Sequence, residues 1–125
     1  MAAQRSQQAR RRAFLAGRNA ETIAAWFLRL KGYRIVGRNM RTPLGEIDIV
    51  ARRGNVVTFV EVKRRDDQDA ARRAVSRDQQ QRIGRAAEYL RASGRLGQGV
   101  EAYRFDLVAV SPRGWPRHLA DMWRP

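Results

Sequence analysis

Apolar residues recur every three or four positions in two stretches of the chain, a spacing typical of amphipathic helices. The first stretch, residues 13–31, predicts a helix whose buried stripe is formed by Ala20, Ile23, Ala24, Phe27 and Leu30. The second, residues 71–93, predicts a helix with a thinner stripe formed by Val75, Ile83, Ala86, Ala87 and Leu90. We therefore expect two helices, each packed against the rest of the domain along one face.

The segments between and after these helices are rich in β-branched residues or alternate polar and apolar positions, which predicts strands. The predicted strands cover residues 33–39, 46–52, 56–65 and 102–110, with a terminal edge strand over residues 119–123. The order α-β-β-β-α-β(-β) predicts an α/β fold with a mixed β-sheet flanked by helices. Residues 1–12 are expected to form a basic, flexible tail, and residues 13–125 a single domain.

A two-residue turn signal, Gly54-Asn55, joins the second and third predicted strands. With these residues at the centre of the turn, four charged side chains share one face of the hairpin, Asp48 opposite Glu61 and Glu46 opposite Lys63. The other face then carries the core residues Ile47, Ile49, Val60 and Val62. A three-residue turn would shift the register by one and separate the acidic pair.

Two interpretations of the charged face compete. An ordinary solvated sheet surface accounts for Glu46 opposite Lys63, but directly opposed like charges such as Asp48 and Glu61 destabilise a sheet. Alternatively, a divalent cation lies between the two carboxylates, since Mg²⁺ takes one or two carboxylates and fills its other positions with water and substrate phosphate. The residues alone leave both interpretations open.

The composition indicates the class of partner. The 125 residues include 26 Lys and Arg against 12 Asp and Glu, which gives a net charge of +14, and 43% of the residues are hydrophobic. Such a chain is a compact cationic domain rather than a disordered basic tail, and its expected partner is a polyanion, with nucleic acid first. All but two of the basic residues are arginine, so the lysine retained at position 63 is informative.

Other classes of protein are excluded by what the sequence lacks. No apolar run approaches the roughly 20 residues that cross a bilayer, so no membrane partner is expected. The chain has no Cys, which excludes a disulfide scaffold and fits a reducing compartment, and we expect a cytoplasmic protein. Arg11-Arg12 is similar to a twin-arginine export signal, but Arg18 and Glu21 interrupt the apolar stretch that such a signal needs.

The segments Gly45-Glu46-Ile47-Asp48 and Phe59-Val60-Glu61-Val62-Lys63 resemble the active-site strands of the PD-(D/E)XK nuclease superfamily, which has the restriction-endonuclease-like fold. From about residue 17 to residue 123 the chain resembles the bacterial YraN-like family, which is described as endonuclease-like by its similarity to archaeal Holliday-junction resolvases. The chain departs from the superfamily pattern at Ile47, where the superfamily's name has proline, and at residues 77–81, which carry no lysine.

The resemblance implies a Mg²⁺-dependent endonuclease, with Mn²⁺ as a substitute, that hydrolyses DNA phosphodiester bonds and acts on branched or structured DNA. It assigns metal binding to Asp48 and Glu61, with help from Glu21 and the Val62 main-chain carbonyl, and positioning of the attacking water to Lys63. Such enzymes often cut two strands as dimers, so a homodimer is expected. Two alternatives are a catalytically silent nucleic-acid-binding module of the same fold and a basic structural protein bound to RNA.

Several other polar residues have weaker indications. Glu46 is expected either to support the site or to pair with Lys63. Asp106, in an apolar strand, is more often a hydrogen-bonded structural residue than part of a site, and His118 is expected at the surface. The arginines expected to track phosphates are Arg64, Arg65, Arg72, Arg73, Arg77 and Arg82.

Overall fold

A computed structural model describes residues 19–64, 75–112 and 115–124. The first described element is a helix over residues 19–30, here called α1. It is followed by β1 (Arg34–Thr42), β2 (Gly45–Arg53), β3 (Val56–Arg64), the helix α2 (Arg77–Ser93), β4 (Ala102–Val110) and β5 (Arg117–Leu119). The observed order confirms the predicted α/β fold. No helix in these ranges has both the length and the apolar character needed to cross a membrane.

The five strands form one mixed sheet in the order β1-β2-β3-β4-β5. All neighbouring strands are antiparallel except β3 and β4, which are parallel. A parallel pair needs a crossover connection. The segment that contains α2 provides it, and α2 packs on one face of the sheet while α1 packs on the other.

The β2–β3 hairpin has the register that its turn predicts. Val50 pairs with Phe59 and Arg53 pairs with Val56, so residues 54 and 55 are the two central residues of the turn. Gly54 has φ 63°, a conformation that a residue with a side chain rarely adopts. The glycine at this position therefore sets the alignment of the two strands that carry the acidic pair.

The two faces of the sheet bury separate apolar clusters. On the α2 side, four residues of the predicted stripe are confirmed, since Ile83, Ala86, Ala87 and Leu90 pack with Phe59 and Leu107. Val75 is buried in the same cluster but precedes the helix. On the α1 side, the buried residues are Ala20, Ala24, Ala25 and Leu28, whereas Ile23 and Leu30 are exposed. The predicted α1 stripe is thus wrong at these last two positions, because the small alanines bring a neighbouring strip of the helix against the sheet.

Three elements differ from their predicted bounds by more than one residue. α2 begins at Arg77, so residues 75 and 76 are not helical. Ser76 is the N-cap residue, and its hydroxyl accepts a hydrogen bond from the main-chain N–H of Gln79. β1 extends past residue 39 to Thr42. β5 covers Arg117–Leu119 rather than residues 119–123, since Asp121 has φ 53° and turns the chain out of the strand.

Candidate active site

The site is built where β2 and β3 separate. Their ladder ends at the pair Ile49–Val60. Before Ile49, β2 pairs only with β1, and from Glu61 onward β3 pairs only with β4. At this fork the Val62 N–H donates to Asp48 Oδ2 at 2.9 Å, so a carboxylate takes the place of a carbonyl from the neighbouring strand.

The fork also changes the predicted core pattern. Ile49 packs on the α1 side as predicted, but Ile47 packs in the cluster on the α2 side. Strict alternation would have placed Ile47 and Ile49 on the same face. The change of face occurs where β2 loses β3 as a neighbour.

A cleft of about 310 Å³ opens at the fork. Asp48 and Glu61, the residues just beyond the last ladder pair, line it together with Glu21 from α1 and Gln79 from α2. The structure therefore brings the three sequence-predicted acidic residues to one cavity. Helix α2 comes close because position 45 is glycine, where a Cβ would lie 3.3 Å from the Arg82 carbonyl oxygen.

Glu61 is the most strongly held of these carboxylates. Its side chain is buried, and Oε1 accepts a hydrogen bond from Gln79 Nε2 at 2.8 Å. The Lys63 ammonium lies 3.3 Å from the same oxygen. The E-x-K spacing on β3 thus places the lysine directly beside its glutamate.

The electrostatics of the cleft disfavour its negative charges. Burial, reinforced by the charge of Glu61, raises the pKa of Asp48 to about 7, although the hydrogen bond from Val62 opposes the shift. Burial also raises the pKa of Glu61, against the opposing effect of Lys63. The pKa of Glu21 is raised by burial as well, while its hydrogen bond with Asn39 opposes the change. Burial is the leading cause for all three carboxylates, so each gives up its proton less readily than it would in water.

Glu46 does not pair with Lys63. It is exposed at the rim of the cleft, and its carboxylate lies 3.8 Å from the guanidinium of Arg41, a neighbour on β1. The expected opposition of Glu46 and Lys63 is wrong because the two strands have already separated at this point. An exposed ion pair of this kind contributes little to stability.

The donor set fits a hard divalent cation in part. Within residues 19–64, 75–112 and 115–124, no three Asp, Glu or His side chains are gathered closely enough to hold an ion by themselves. The buried carboxylate of Glu61 and the partly buried one of Asp48, both with raised pKa values, nevertheless match the one or two carboxylates that Mg²⁺ takes from a protein. Asp48 and Glu61 are therefore the residues that could hold such an ion.

The sequence model of the Uncharacterised protein family UPF0102 matches residues 20–110. A UPF0102 protein of Parvibaculum lavamentivorans is 52% identical over 114 residues, which cover 90% of this chain and 84% of the relative. UPF0102 proteins of Sphingopyxis alaskensis and Caulobacter vibrioides are 45% and 50% identical over 109 and 107 residues, covering 87% and 86% of this chain and 92% and 85% of the relatives.

This chain belongs to the UPF0102 family. The assignment confirms the YraN-like resemblance of the sequence. The matched segment of this UPF0102 protein includes Glu21, Asp48, Glu61, Lys63 and Gln79, so the whole acidic cleft lies within the part of the chain that defines the family.

Three of the six arginines expected to track phosphates are among the described residues, and one of them lines the acidic cleft. Arg82 lines it, Arg77 is exposed at the first residue of α2, and Arg64 is exposed at the end of β3. Arg65, Arg72 and Arg73 lie outside the described residues. The ligand role of the Val62 carbonyl stays a prediction, and the N–H of the same residue donates to Asp48.

Two polar residues have roles that sequence reasoning missed. Gln79 lies three positions after Ser76, the spacing of a capping box, in which the glutamine would bond back to the helix start. Its side chain reaches Glu61 instead. His118 is not at the surface, because its side chain is 3% exposed and its Nε2 lies 2.7 Å from Asp106 Oδ2.

Proposed function

We propose that this UPF0102 protein is an endonuclease that hydrolyses DNA phosphodiester bonds with Mg²⁺ or Mn²⁺, and that branched or structured DNA is its substrate. The observation that carries the proposal is the convergence of Glu21, Asp48 and Glu61 on one cleft with Lys63 beside them. The net charge of +14 supplies attraction to the phosphates around this small acidic site.

Each residue of the cleft has a distinct task in this proposal. Asp48 and Glu61 hold the cation, and Glu21 adds negative charge to the cleft from α1. When bound, a divalent cation polarises the phosphoryl oxygen and lowers the pKa of a coordinated water. The Lys63 ammonium orients the attacking water and stabilises the negative charge that develops on the phosphate. Gln79 and the Val62 N–H keep the two carboxylates in fixed orientations.

The proposal is tested by cleavage assays on a four-way junction, a single strand and a duplex of matched sequence, with Mg²⁺, Mn²⁺ or EDTA. We expect Asp48→Asn and Lys63→Ala to lower the cleavage rate by at least about 100-fold, the size of effect seen when one charge-stabilising group is removed. Glu88→Gln, which changes an exposed carboxylate on α2, is the matched control and should cut normally.

A second candidate is a catalytically silent nucleic-acid-binding module of the same fold. It is favoured by the finding that, among the described residues, no three acidic or histidine side chains already form a metal site. Wild-type protein that binds all three DNA substrates but cuts none of them with either metal would replace the nuclease proposal with this one.

A further inference from the structure

A second cleft, of about 500 Å³, lies at the other end of β2 from the acidic site. Three arginines line it, Arg34 at the start of β1 and Arg52 and Arg53 at the end of β2. Asp48 and Arg52 are separated by four positions on β2, which corresponds to about 13 Å along a strand. The two clefts are therefore distinct sites on a shared element.

The arginine cleft has no carboxylate of its own among the described residues that line it. None of its three arginines forms an ion pair with another described residue. Glu101, in the chain that follows α2, has its carboxylate bound to the Asn55 side chain instead. Three positive charges thus converge on one cavity without a protein counter-charge in the described parts of the chain.

The guanidinium groups of Arg52 and Arg53 contact uncharged partners that hold them in place. Arg52 donates from Nε to the Gly54 carbonyl at 2.8 Å and from Nη1 to the Leu96 carbonyl at 3.3 Å. Arg53 lies 4.6 Å above the ring of Tyr33 and donates to the Lys31 carbonyl. Such contacts fix the orientation of the groups and leave their charge available.

The wall of the cleft is fitted closely around Arg52. Gly97 has φ 86°, and a Cβ at this position would lie 3.0 Å from Arg52 Nη1. The positive φ favours glycine at this position, and the missing Cβ leaves room for the end of the Arg52 side chain beside the loop. A group that is oriented, tightly enclosed on one side and open to the cavity on the other is a built site rather than a freely moving surface arginine.

We propose that this arginine cleft binds phosphates of a nucleic-acid backbone. Arginine matches phosphate because its planar group presents several donors in a fixed arrangement. The choice of nucleic acid as the source of phosphate rests on the proposed function. At about 3.4 Å per nucleotide, the separation along β2 corresponds to about four nucleotides. The bound strand therefore extends about four nucleotides from the scissile phosphate to this second contact.

Binding of a fluorescein-labelled 20-base-pair DNA duplex, measured by anisotropy in EDTA at several salt concentrations, tests the proposal without any hydrolysis. The double variant Arg34→Gln/Arg53→Gln should bind at least tenfold more weakly at 100 mM salt. Its slope of log affinity against log salt should fall by up to about 1.8, or about 0.9 for each phosphate that the variant no longer neutralises. The matched control Arg29→Gln/Arg91→Gln removes the same charge from the surfaces of α1 and α2.

Equal affinities and equal salt slopes for the cleft variant and the control would overturn the proposal. The charge-conserving variant Arg34→Lys/Arg53→Lys should restore most of the salt slope. If it does not, the weaker binding comes from a change in the structure and not from the lost charges, which would also overturn the proposal. A cleft variant that loses affinity for inorganic phosphate but keeps wild-type affinity for the duplex would also overturn it.

This binding result and the nuclease result are separable. If no metal supports cleavage of any DNA while the cleft variant still binds weakly, the nuclease proposal fails and the phosphate-binding cleft stands. If cleavage occurs but the cleft variant binds and cuts like the control, the nuclease proposal stands and the proposal of a phosphate-binding cleft fails.

Discussion

Asp106 and Asp48 are both largely buried, yet their surroundings shift the pKa values of their carboxyl groups in opposite directions. Asp106 lies on the face of the sheet that packs against α1, and Asp48 lies at the fork between β2 and β3. Burial alone would raise the pKa of Asp106, but hydrogen bonds from His118, Arg104 and the Asp121 main chain hold its pKa below the usual range. The pKa of Asp48 is instead raised, to about 7.

The difference comes from the partners that each carboxylate has. Arg104 makes a two-point contact with Asp106 at 2.8 and 2.6 Å, and the same guanidinium donates to the Tyr33 hydroxyl at 2.7 Å. Asp48 has one main-chain donor, and another carboxylate as a neighbour. Removing one partner of a fully paired buried charge is costly to stability, whereas a carboxylate in a cleft with a raised pKa and few partners is a candidate functional group.

The largest expected effect is on the compensated site. Asp106→Ala leaves the Arg104, His118 and Asp121 donors without their acceptor, so we expect the free energy of unfolding to fall by about 3–5 kcal/mol. Urea unfolding measures it, and Glu88→Ala, which removes an exposed ion pair with Arg91, should cost at most about 1 kcal/mol. Similar losses for the two variants would mean that the Asp106 network is not a major source of stability.

The second-largest expected effect is the stabilisation of the protein by a metal ion bound at Asp48. At pH 8, Mg²⁺ at 100 times its dissociation constant should raise the free energy of unfolding of the wild type by about 2.7 kcal/mol. Thermal unfolding with and without Mg²⁺ measures this gain. Asp48→Asn should lose the gain and Asp106→Asn should keep it. An equal response to Mg²⁺ in all three proteins would place the ion elsewhere.

Removing the charge of Asp48 should itself stabilise the protein, and more so as the pH rises. Because its folded-state pKa is raised, the group destabilises the fold increasingly as pH rises from its unfolded pKa, about 3.9, through about 7. Asp48→Asn should therefore gain more than about 1 kcal/mol over the wild type at pH 8 without metal, since one pKa unit corresponds to about 1.4 kcal/mol. At pH 5 the gain should shrink, and urea unfolding at both pH values compares them.

For Asp106 the dependence has the opposite sign. Its lowered pKa means that its stabilising contribution is present above its unfolded pKa and is lost as pH falls toward the lower folded value. The Asp106→Ala loss should accordingly be full at pH 7 and smaller below pH 3. A gain for Asp48→Asn that did not change with pH would break the contrast between the two groups.

The smallest expected effect concerns the orientation of Glu61. Gln79→Ala removes the hydrogen bond to Glu61 Oε1, and we expect a loss of about 1 kcal/mol in transition-state stabilisation, close to a fivefold fall in kcat. Gln81→Ala, an exposed change on the same helix, is the control. If both variants cut DNA at the same rate, Gln79 has no positioning role.

Local sequence signals predicted the β2–β3 hairpin, and they also predicted that Asp48 and Glu61 lie close to each other. Gly54-Asn55 defines the turn, and the turn sets the register that brings Asp48 and Glu61 together. The fork was not predictable in this way, because it depends on β2 keeping β1 and β3 taking β4 as neighbours. Those choices involve residues far apart in the sequence.

Contacts between residues far apart in the sequence also explain why the roles of His118, the arginine cleft and Gln79 were not predicted. His118 reads as a surface residue because its partners are distant: Asp106 is on the neighbouring strand and Tyr33 follows α1. The arginine cleft likewise draws on β1, β2 and the loop after α2. Gln79 carried a local signal, its capping-box spacing, but only the packing of α2 against the fork shows where its side chain goes.

The main-chain contact of Asp48 links the acidic cleft mechanically to a strand that contributes none of its described lining residues. The Val62 N–H that orients Asp48 belongs to β3, and β3 at this point is aligned by its parallel pairing with β4, Val62 with Val108. A shift of β4 would thus move a carboxylate that it never touches. Hydrogen exchange at the Val62 amide would report this transmission directly, since Val108→Ala should speed the exchange there if β4 holds the amide in position.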